Sequence, residues 1–429
     1  MSKYIIKGGN RIIGDVRISG AKNATLGVLA ASIMADEDVI IENIPDVWDI
    51  NMMIKSIEFL GANVERIDRN TVKINGSNIK TCDLISPELG KMRATYYFVG
   101  ALLGKYKKAR VIYPGGCDIG ERPVNLHLKG FKSLGANASI NGEYIETDAT
   151  ELKGNNIYLD IVSVGATINI MLAAILADGI TIIENAAKEP HVVDIANFLN
   201  TIGANVKGAG TDTIRIKGVK KLHGATYTMI PDQIEAGTYM ALATITKGDI
   251  TIKNVIPKHL ESISAKLVDI GSTVIHYDEA VRVISGDKIL PTNVMTSPYP
   301  GFPTDMQPQI VCTLCLADGT SQVTESIFED RFKYINEIKK MGAVCSLKQN
   351  QLTIDGVSRL NPANIVAPDL RAGAALVLLA LATDGISIID KIEYVERGYE
   401  DFVNKLTELG AKIIKVDNNQ DVDEIIKNI

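Results

Sequence analysis

The sequence PGGCDIGERP, at residues 114–123, places a cysteine thiol in a glycine-rich, polar, turn-forming segment. Cys117 lies five residues before Arg122, and a nearby guanidinium favours the thiolate form of a cysteine. A thiol with an ordinary pKa of about 8.5 is nonetheless mostly protonated at neutral pH. Cys117 could therefore act as a proton donor or as a nucleophile, and the alternative is an unreactive loop thiol.

Basic side chains stand at the predicted starts of several helices, where the positive end of the helix dipole normally attracts Asp or Glu. They are Lys22, Arg93, Arg122, Arg371 and Arg397. Taken singly, each could be an ordinary solvated charge. Together, cations added to helix N-termini form a strong site for a multiply charged anion. Arg331 is a weaker sixth candidate, because a partner one turn away on its own helix could account for it.

Asp305 precedes a predicted helix in the proline-rich segment SPYPGFPTDMQP. Either Asp305 or Thr304 could cap that helix. If the helix start faces the cationic site, the carboxylate is instead placed to take a proton from a substrate hydroxyl. Both roles stay open from the residues alone.

Motifs for metal or cofactor binding are weak. The CTLC sequence at residues 312–315 has the spacing of zinc ligands, but it lies in an apolar segment without a second ligand pair. The five histidines form no HExxH motif, and neither a Walker motif nor a GxGxxG after a strand is present. We therefore predict no metal and no cofactor.

A repeat organises the elements that must position these residues. A glycine follows an amphipathic helical pattern and precedes a strand-like segment six times, at intervals of about 70 residues. The glycines are Gly61, Gly135, Gly203, Gly271, Gly342 and Gly410. Between them lie more apolar helical segments that we expect to cluster inside each domain, while the amphipathic helices cover the solvent faces. A division near Pro231 and Asp232 gives two domains of three repeats each.

Length and composition are those of a globular two-domain protein. The chain has 429 residues, of which 46% are hydrophobic and 22% charged. A net charge of −6 argues against nucleic acid or an anionic membrane as partner. No apolar stretch is long enough to span a bilayer, and the N-terminus has no signal-peptide pattern. We therefore expect a cytoplasmic protein, and the sequence does not identify its protein partners.

Eight segments, spread over essentially the whole chain, resemble the enolpyruvyl transferase family and within it the UDP-N-acetylglucosamine 1-carboxyvinyltransferases. The segments are ISGAKNA at 18–24, MRAT at 92–95, PGGCDIGERPVNLH at 114–127, SVGAT at 163–167, FPTDMQ at 302–307, ESIFEDRF at 325–332, PDLRAGAALV at 368–377 and ERGYE at 396–400. The cysteine segment is highly specific, whereas SVGAT alone is weak.

The resemblance implies an α/β fold of two inside-out domains, each built of three βαβαββ units. One domain would span residues 22–231 and carry the cysteine loop. The other would combine residues 1–21 with 232–429, and the active site would lie in the cleft between them. The implied reaction transfers the enolpyruvyl group of phosphoenolpyruvate to the 3′-hydroxyl of UDP-N-acetylglucosamine through a tetrahedral intermediate and releases phosphate. It is the first committed step of peptidoglycan synthesis.

The resemblance also assigns roles to residues. Cys117 would donate a proton to the methylene carbon and could hold phospholactate covalently, and Asp305 would be the base, with Lys22 and Arg397 also catalytic. Phosphoenolpyruvate would be bound by Lys22, Asn23, Arg122, Arg371 and Arg397. UDP-N-acetylglucosamine would be bound by Arg93, Arg122, Pro123, Val124, Asn125, Leu126, Ser163, Val164, Gly165, Asp305 and Ile327. Supporting residues would be Arg331, Asp369 and His127.

Two positions depart from the family pattern. Ile161 stands where some relatives carry a lysine, so that one contact to the uridine diphosphate is in question, and Tyr97 stands where others have tryptophan. Two alternatives remain. A 3-phosphoshikimate 1-carboxyvinyltransferase would share the fold, but that family has a sequence like PGSKS around its first lysine and lacks the cysteine loop. A non-catalytic paralogue would bind the UDP-sugar only.

Overall fold

The structure is a computed structural model that describes residues 2–113, 124–417 and 426. Cys117, Arg122 and Pro123 therefore lie outside the described residues. The contacts divide the described chain into two compact units. We call residues 20–113 with 124–230 the central unit, and residues 2–19 with 231–417 the terminal unit. The predicted domain ranges and the predicted cleft between the domains stay predictions.

The described strands are, in chain order, β1 Lys3–Gly8, β2 Ile13–Arg17, β3 Asp38–Glu42, β4 Asn63–Asp68, β5 Thr71–Asn75, β6 Asp83–Leu84, β7 Lys108–Ile112, β8 Asn137–Asn141, β9 Tyr144–Asp148, β10 Asn156–Tyr158, β11 Ile180–Glu184, β12 Val206–Lys207, β13 Thr213–Lys217, β14 Ala225–Thr228, β15 Asp249–Lys253, β16 Thr273–His276, β17 Ala280–Ile284, β18 Asn293–Met295, β19 Thr320–Thr324, β20 Val344–Lys348, β21 Gln351–Asp355, β22 Asn364–Val366, β23 Gly385–Asp390 and β24 Lys412–Val416. The described α-helices are α1 Lys22–Ser32, α2 Trp48–Leu60, α3 Tyr97–Tyr106, α4 Asn125–Ser133, α5 Val164–Ala174, α6 Pro190–Thr201, α7 Gln233–Ile245, α8 Glu261–Asp269, α9 Gln307–Leu314, α10 Ile335–Lys340, α11 Leu370–Ala382, α12 Glu393–Glu396 and α13 Phe402–Glu408.

These strands form six four-stranded sheets, three in each unit. The central unit has the orders β14-β3-β5-β4, β6-β7-β9-β8 and β10-β11-β13-β12. The terminal unit has β16-β17-β15-β2, β18-β19-β21-β20 and β22-β23-β1-β24. Each sheet contains one parallel pair and two antiparallel pairs, as a βαβαββ unit requires. The predicted α/β fold is confirmed.

The repeat glycines end their helices in the left-handed conformation that favours glycine. All six have φ between 89° and 101°. At Gly61 the amide nitrogen donates to the carbonyl of Glu58, and the next amide, of Ala62, donates to the carbonyl of Ile57. The prediction of six helix ends from this signature is confirmed.

The most apolar helices lie inside each unit. Twelve of the thirteen residues of α11 are buried, and α11 contacts both α7 and α9 in the terminal unit. In the central unit α3 contacts α1 and α5 in the same way. Sheets and amphipathic helices surround these helices, which is the inside-out arrangement that the resemblance implied. Among the described helices, none has both the length and the apolar character needed to cross a membrane.

A buried acid on α6 makes stability depend on pH. The Tyr227 hydroxyl donates to Asp194 Oδ1 at 2.6 Å, and Oδ2 has no hydrogen-bond partner among the described residues. Burial raises the pKa of Asp194 from its ordinary 3.8 to about 6. Between pH 3.8 and about 6 the folded protein holds a proton on Asp194 that the unfolded chain has released. Proton binding therefore stabilises the folded state at low pH, and this stabilisation is lost as the pH rises through about 6.

We expect Asp194→Asn to remove this pH dependence, because the amide does not titrate. The free energy of unfolding of the parent protein, relative to the variant, should rise by roughly 3 kcal/mol as the pH falls across the window, at about 1.4 kcal/mol per pKa unit. The measurement is the difference in Tm between the two proteins at about pH 4 and about pH 7. A difference that stays constant would contradict a raised pKa at Asp194.

Candidate active site

Asp305 lies in a short turn, Thr304–Met306, that leads into α9. Arg331 Nη2 is 3.1 Å from its Oδ1, and Arg371 Nε and Nη2 are each 3.1 Å from its Oδ2. The two arginine side chains are 2% and 4% exposed, whereas the Asp305 side chain is 28% exposed. Two buried guanidinium groups thus hold a carboxylate at an accessible position, and the three side chains carry a net positive charge.

The alternative role of Asp305, or of Thr304, as a helix cap is wrong. The cap positions of the turn and of α9 are Pro303 and Met306, which provide no side-chain hydrogen bond. Thr304 donates its hydroxyl hydrogen to Glu325 Oε2 at 3.0 Å instead. The Asp305 carboxylate therefore faces its arginine partners rather than the helix amides.

Arg371 remains charged because of its surroundings. Burial is the largest single effect and lowers the pKa of Arg371, but the Asp305 carboxylate, Tyr399 and Asp232 together raise it above its ordinary value. The Tyr399 ring also stabilises the cation, with its centroid 5.5 Å from the guanidinium carbon. Asp369 is the N-cap of α11 and accepts hydrogen bonds from the amides of Arg371 and Ala372. Arg371 thus stands at a helix start, as predicted, and Asp369 supports it through the backbone.

Lys22 is the first residue of α1 and is buried, and Asn23 is the second. The Lys22 Nζ lies 2.9 Å from Oδ2 of Asp49, in the first turn of α2. The side chains are 11% and 6% exposed. A buried charge is costly unless it is paired, so the ion pair with Asp49 compensates the burial of Lys22 at the start of the helix.

A third group of predicted residues meets where α5 begins. Ser163 caps this helix and accepts a hydrogen bond from the amide of Ala166. A Cβ atom on Gly165 would lie 2.7 Å from the Tyr96 hydroxyl and 3.2 Å from Nε2 of His127, so a larger residue would require these side chains to shift. The Arg93 guanidinium lies over the Tyr96 ring, 5.6 Å from its centroid.

His127 is neutral in these surroundings. Burial first, and then the positive charge of Arg93, lower the pKa of His127 to about 3. Burial also lowers the pKa of Arg93. His127 lies in the first turns of α4, after Asn125 and Leu126, and Val124 is the residue before that helix.

The chain is similar to known proteins over nearly its whole length. The profile of the family described as EPSP synthase (3-phosphoshikimate 1-carboxyvinyltransferase) matches residues 6–406. A protein of Clostridium acetobutylicum named UDP-N-acetylglucosamine 1-carboxyvinyltransferase 2 is 51% identical over 96% of this chain and 99% of its own. A Clostridium botulinum protein named UDP-N-acetylglucosamine 1-carboxyvinyltransferase is 51% identical over 97% of this chain and all of its own. The chain belongs to the enolpyruvyl transferase family.

Solved structures agree with this assignment. The enolpyruvyl transferase NikO of Streptomyces tendae is 25% identical, with a TM-score of 0.87 over 97% of this chain and 99% of its own. An EPSP synthase of Acinetobacter baumannii shares the fold at 19% identity and a TM-score of 0.76, over 97% of this chain and its own full length. This enolpyruvyl transferase is thus much less similar to that EPSP synthase than to the two clostridial proteins.

Arg397 does not stand at a helix start, and that prediction is wrong. It follows the short helix α12 as its C-cap, and α13 begins only at Phe402. The helix expected to begin at Arg397 begins only after Asp401, which adopts a left-handed φ of 50°. A cation at a helix C-terminus interacts favourably with the dipole, so position alone does not mark Arg397 for anion binding.

Ile327 lies four residues before Arg331 in the sequence and is 37% exposed. Its amide donates to Glu325 Oε1 at 2.9 Å, so Glu325 fixes the backbone of this segment. Arg331 does not have the partner one turn away that we considered from the sequence, since its ion pair is with Asp305.

Sequence reasoning missed two polar residues that support the site. Asp49 looks like an ordinary acidic residue in the first turn of a helix, so no local signal distinguishes it. Asn169 carries a signal that could have been used, because it is a lone amide in the otherwise apolar helix α5. A buried amide needs hydrogen-bond partners, and Asn169 finds them on three other residues.

We expect Gly165→Ala to destabilise this enolpyruvyl transferase by about 1–3 kcal/mol, because the new methyl group must displace the Tyr96 hydroxyl and the His127 ring. The measurement is Tm. Val164→Ala in the same turn is the control, since it removes volume at a half-buried position. An unchanged Tm for Gly165→Ala would contradict the close packing described at the start of α5.

Proposed function

We propose that this enolpyruvyl transferase moves the enolpyruvyl group of phosphoenolpyruvate onto the 3′-hydroxyl of UDP-N-acetylglucosamine and releases phosphate. The observation that carries the proposal is the partly exposed Asp305 carboxylate between Arg331 and Arg371. This carboxylate is the proton acceptor that a reaction at a substrate hydroxyl needs. Identities of about 50% to proteins named for this activity support the choice of acceptor.

In the proposed addition step, Asp305 takes the proton of the 3′-hydroxyl as its oxygen attacks C2 of phosphoenolpyruvate. Cys117 gives a proton to C3, so that the double bond becomes a methyl group and a tetrahedral ketal forms. In the elimination step the Cys117 thiolate takes a proton back from that methyl group, the double bond returns, and phosphate departs from C2 with the proton that Asp305 had taken. Each step needs only proton transfer and charge stabilisation, so the proposal requires no metal or cofactor.

The anionic groups of phosphoenolpyruvate need fixed positive charge. We assign its phosphate and carboxylate to Lys22, Arg122 and Arg397, with Arg371 nearby and Asn23 beside Lys22. The ion pair with Asp49 supports this assignment, because it holds the buried Lys22 side chain at the start of α1. Preorganised cations stabilise charge that develops as phosphate leaves.

We expect Cys117→Asp to retain turnover if proton donation is the essential role of Cys117, because a carboxylic acid can also donate a proton. The measurement is kcat, with Cys117→Ala as the matched variant that cannot donate. Complete loss of activity in a folded Cys117→Asp protein would instead make the covalent phospholactate adduct obligatory.

An epoxide phosphonate such as fosfomycin should alkylate Cys117, which the mass of the corresponding peptide reports.

The product of this reaction is a precursor of peptidoglycan, so the proposal places the protein at the first committed step of cell-wall synthesis in the cytoplasm. Cell shape and cell division would then depend on it. The proposed partners are the two small-molecule substrates, without nucleic acid or membrane insertion.

One assay tests the proposed function. Purified protein is incubated with phosphoenolpyruvate and either UDP-N-acetylglucosamine or shikimate 3-phosphate, and phosphate release is followed. Release is expected with the nucleotide sugar alone. Release only with shikimate 3-phosphate would support the EPSP synthase alternative. Binding of UDP-N-acetylglucosamine without any phosphate release would support a non-catalytic paralogue.

A further inference from the structure

The amide of Asn169 has one orientation that satisfies all its hydrogen bonds. Its Oδ1 accepts from the backbone amide of Gly100 at 2.8 Å, and its Nδ2 donates to the backbone carbonyl of Tyr96 at 2.9 Å. A backbone amide only donates and a backbone carbonyl only accepts, so exchanging oxygen and nitrogen would break both bonds. Asn169 is 1% exposed, and an unsatisfied amide there would be costly.

This orientation determines where His127 carries its proton. Asn169 Nδ2 also lies 2.9 Å from Nδ1 of His127 and presents its second hydrogen to it. Nδ1 must therefore be the unprotonated acceptor. Because the ring is 5% exposed and close to the Arg93 cation, the imidazole stays neutral and its single proton is on Nε2.

The protonated nitrogen lies beside the start of α5. A Cβ atom on Gly165 would be 3.2 Å from Nε2 and 2.7 Å from the Tyr96 hydroxyl. No hydrogen-bond acceptor for Nε2 occurs among the described residues, although Nδ1 is fully used. A ring that is fixed through Nδ1 and has a free N–H at Nε2 is placed to donate to an acceptor that approaches the start of α5.

We propose that Asn169 is a positioning residue, which keeps the proton of His127 on Nε2 so that the imidazole donates a hydrogen bond to a diphosphate oxygen of the nucleotide sugar. The inference rests on the proposed function for the identity of that ligand. Two further observations favour a phosphate oxygen over a neutral acceptor. The N-terminus of α5 offers backbone amides at Ser163–Gly165, and Arg93 contributes a positive charge close to the ring.

Nuclear magnetic resonance of the imidazole nitrogens tests the inference directly. The full chain is labelled with ¹⁵N in its five histidines, and His127→Gln assigns the signals of His127. We expect a neutral ring protonated at Nε2 from about pH 5 to about pH 8. Saturating UDP and UDP-N-acetylglucosamine should both shift the Nε2 signal, whereas phosphoenolpyruvate alone should not. The exposed His276 on β16 should not respond to any of them and serves as the internal reference.

Asn169→Asp gives a second, kinetic test. A carboxylate only accepts, so it would draw a proton onto Nδ1 of His127 and alter the hydrogen-bonding role of Nε2. We expect KM for UDP-N-acetylglucosamine to rise about tenfold, as for the loss of a hydrogen bond to a charged group, with kcat much less affected. The matched control is Asn200→Asp on α6, whose amide likewise donates to and accepts from backbone, at Val206, in a structural role. It should leave KM unchanged.

The possible outcomes separate this inference from the proposed function. A proton on Nδ1, or a His127 signal that is unchanged in protein saturated with UDP-N-acetylglucosamine, would overturn the role of Asn169 while leaving the proposed function intact. A shift with the sugar nucleotide but not with UDP would overturn the assignment to the diphosphate. Failure of UDP-N-acetylglucosamine to bind at all would overturn the proposed function and the inference with it.

Discussion

Asp305→Asn is expected to lower kcat by about two to four orders of magnitude, the range for loss of a general base. The amide keeps the size of the side chain but cannot take the proton of the 3′-hydroxyl. Folding should also be weakened, because the buried Arg331 and Arg371 side chains lose their charged partner, so kcat is compared in protein that is shown to be folded. Steady-state phosphate release at saturating substrates measures the effect.

The control for this change is Asp355→Asn. Asp355 also accepts a side-chain hydrogen bond, from Thr320, but it is exposed at the end of β21 and has no role in the proposed chemistry. It should retain full activity. If Asp305→Asn turned over within a factor of a few of the parent protein, Asp305 would not be the base, and its ion pairs with Arg331 and Arg371 would be structural only.

Lys22→Met should abolish turnover and also destabilise the fold. Removing Lys22 leaves Asp49 buried without this partner, and breaking a buried ion pair costs about 3–5 kcal/mol. The double variant Lys22→Met/Asp49→Leu should recover most of that loss, since replacing both partners by apolar side chains is often neutral. Both variants should be inactive, because neither supplies the cation for the phosphoenolpyruvate anion.

Urea denaturation and kcat measured on the same preparations separate the two effects. The control pair is Lys73→Met/Glu65→Leu, which removes a more exposed ion pair within the β4–β5 hairpin and should cost no more than about 1 kcal/mol. An Lys22→Met/Asp49→Leu protein that is stable and fully active would show that Lys22 serves the fold alone.

The sequence was informative where the cause of a structure is local. A helix that ends at a left-handed residue needs glycine, so the repeated signature at Gly61 and its five equivalents predicted the six repeats. The continuous apolar sequence of α11 predicted a buried helix, because apolar side chains along a whole helix favour burial on all its sides. Interpretation of these patterns required no knowledge of distant partners.

The rest depended on contacts between residues far apart in sequence. The pairing of β1 with β23 and β24 joins the two ends of the chain, and only the family resemblance indicated it. Asp49 and Asn169 became recognisable through their partners Lys22 and His127. Arg397 was misplaced because the expected helix begins only after Asp401, a left-handed residue that is not a glycine.

Strand ends show the same limit. The asparagines of the IEN and IKN sequences repeat in the chain, and the structure supplies their function: each adopts a left-handed φ and donates its side-chain amide to a backbone carbonyl on the parallel neighbouring segment. These residues are Asn43, Asn185 and Asn254. The left-handed conformation could be expected of asparagine, but the accepting carbonyl could not.

The central claim is that the chain attaches an enolpyruvyl group to a nucleotide sugar, and the product itself gives the most direct test. Purified protein is incubated with phosphoenolpyruvate and UDP-N-acetylglucosamine, and the nucleotide sugar is examined by mass spectrometry and nuclear magnetic resonance. We predict that it gains the mass of one enolpyruvyl group, joined by an ether bond at the 3′-oxygen, with one phosphate released per product. An unchanged nucleotide sugar in the presence of folded protein that binds both substrates would contradict the account.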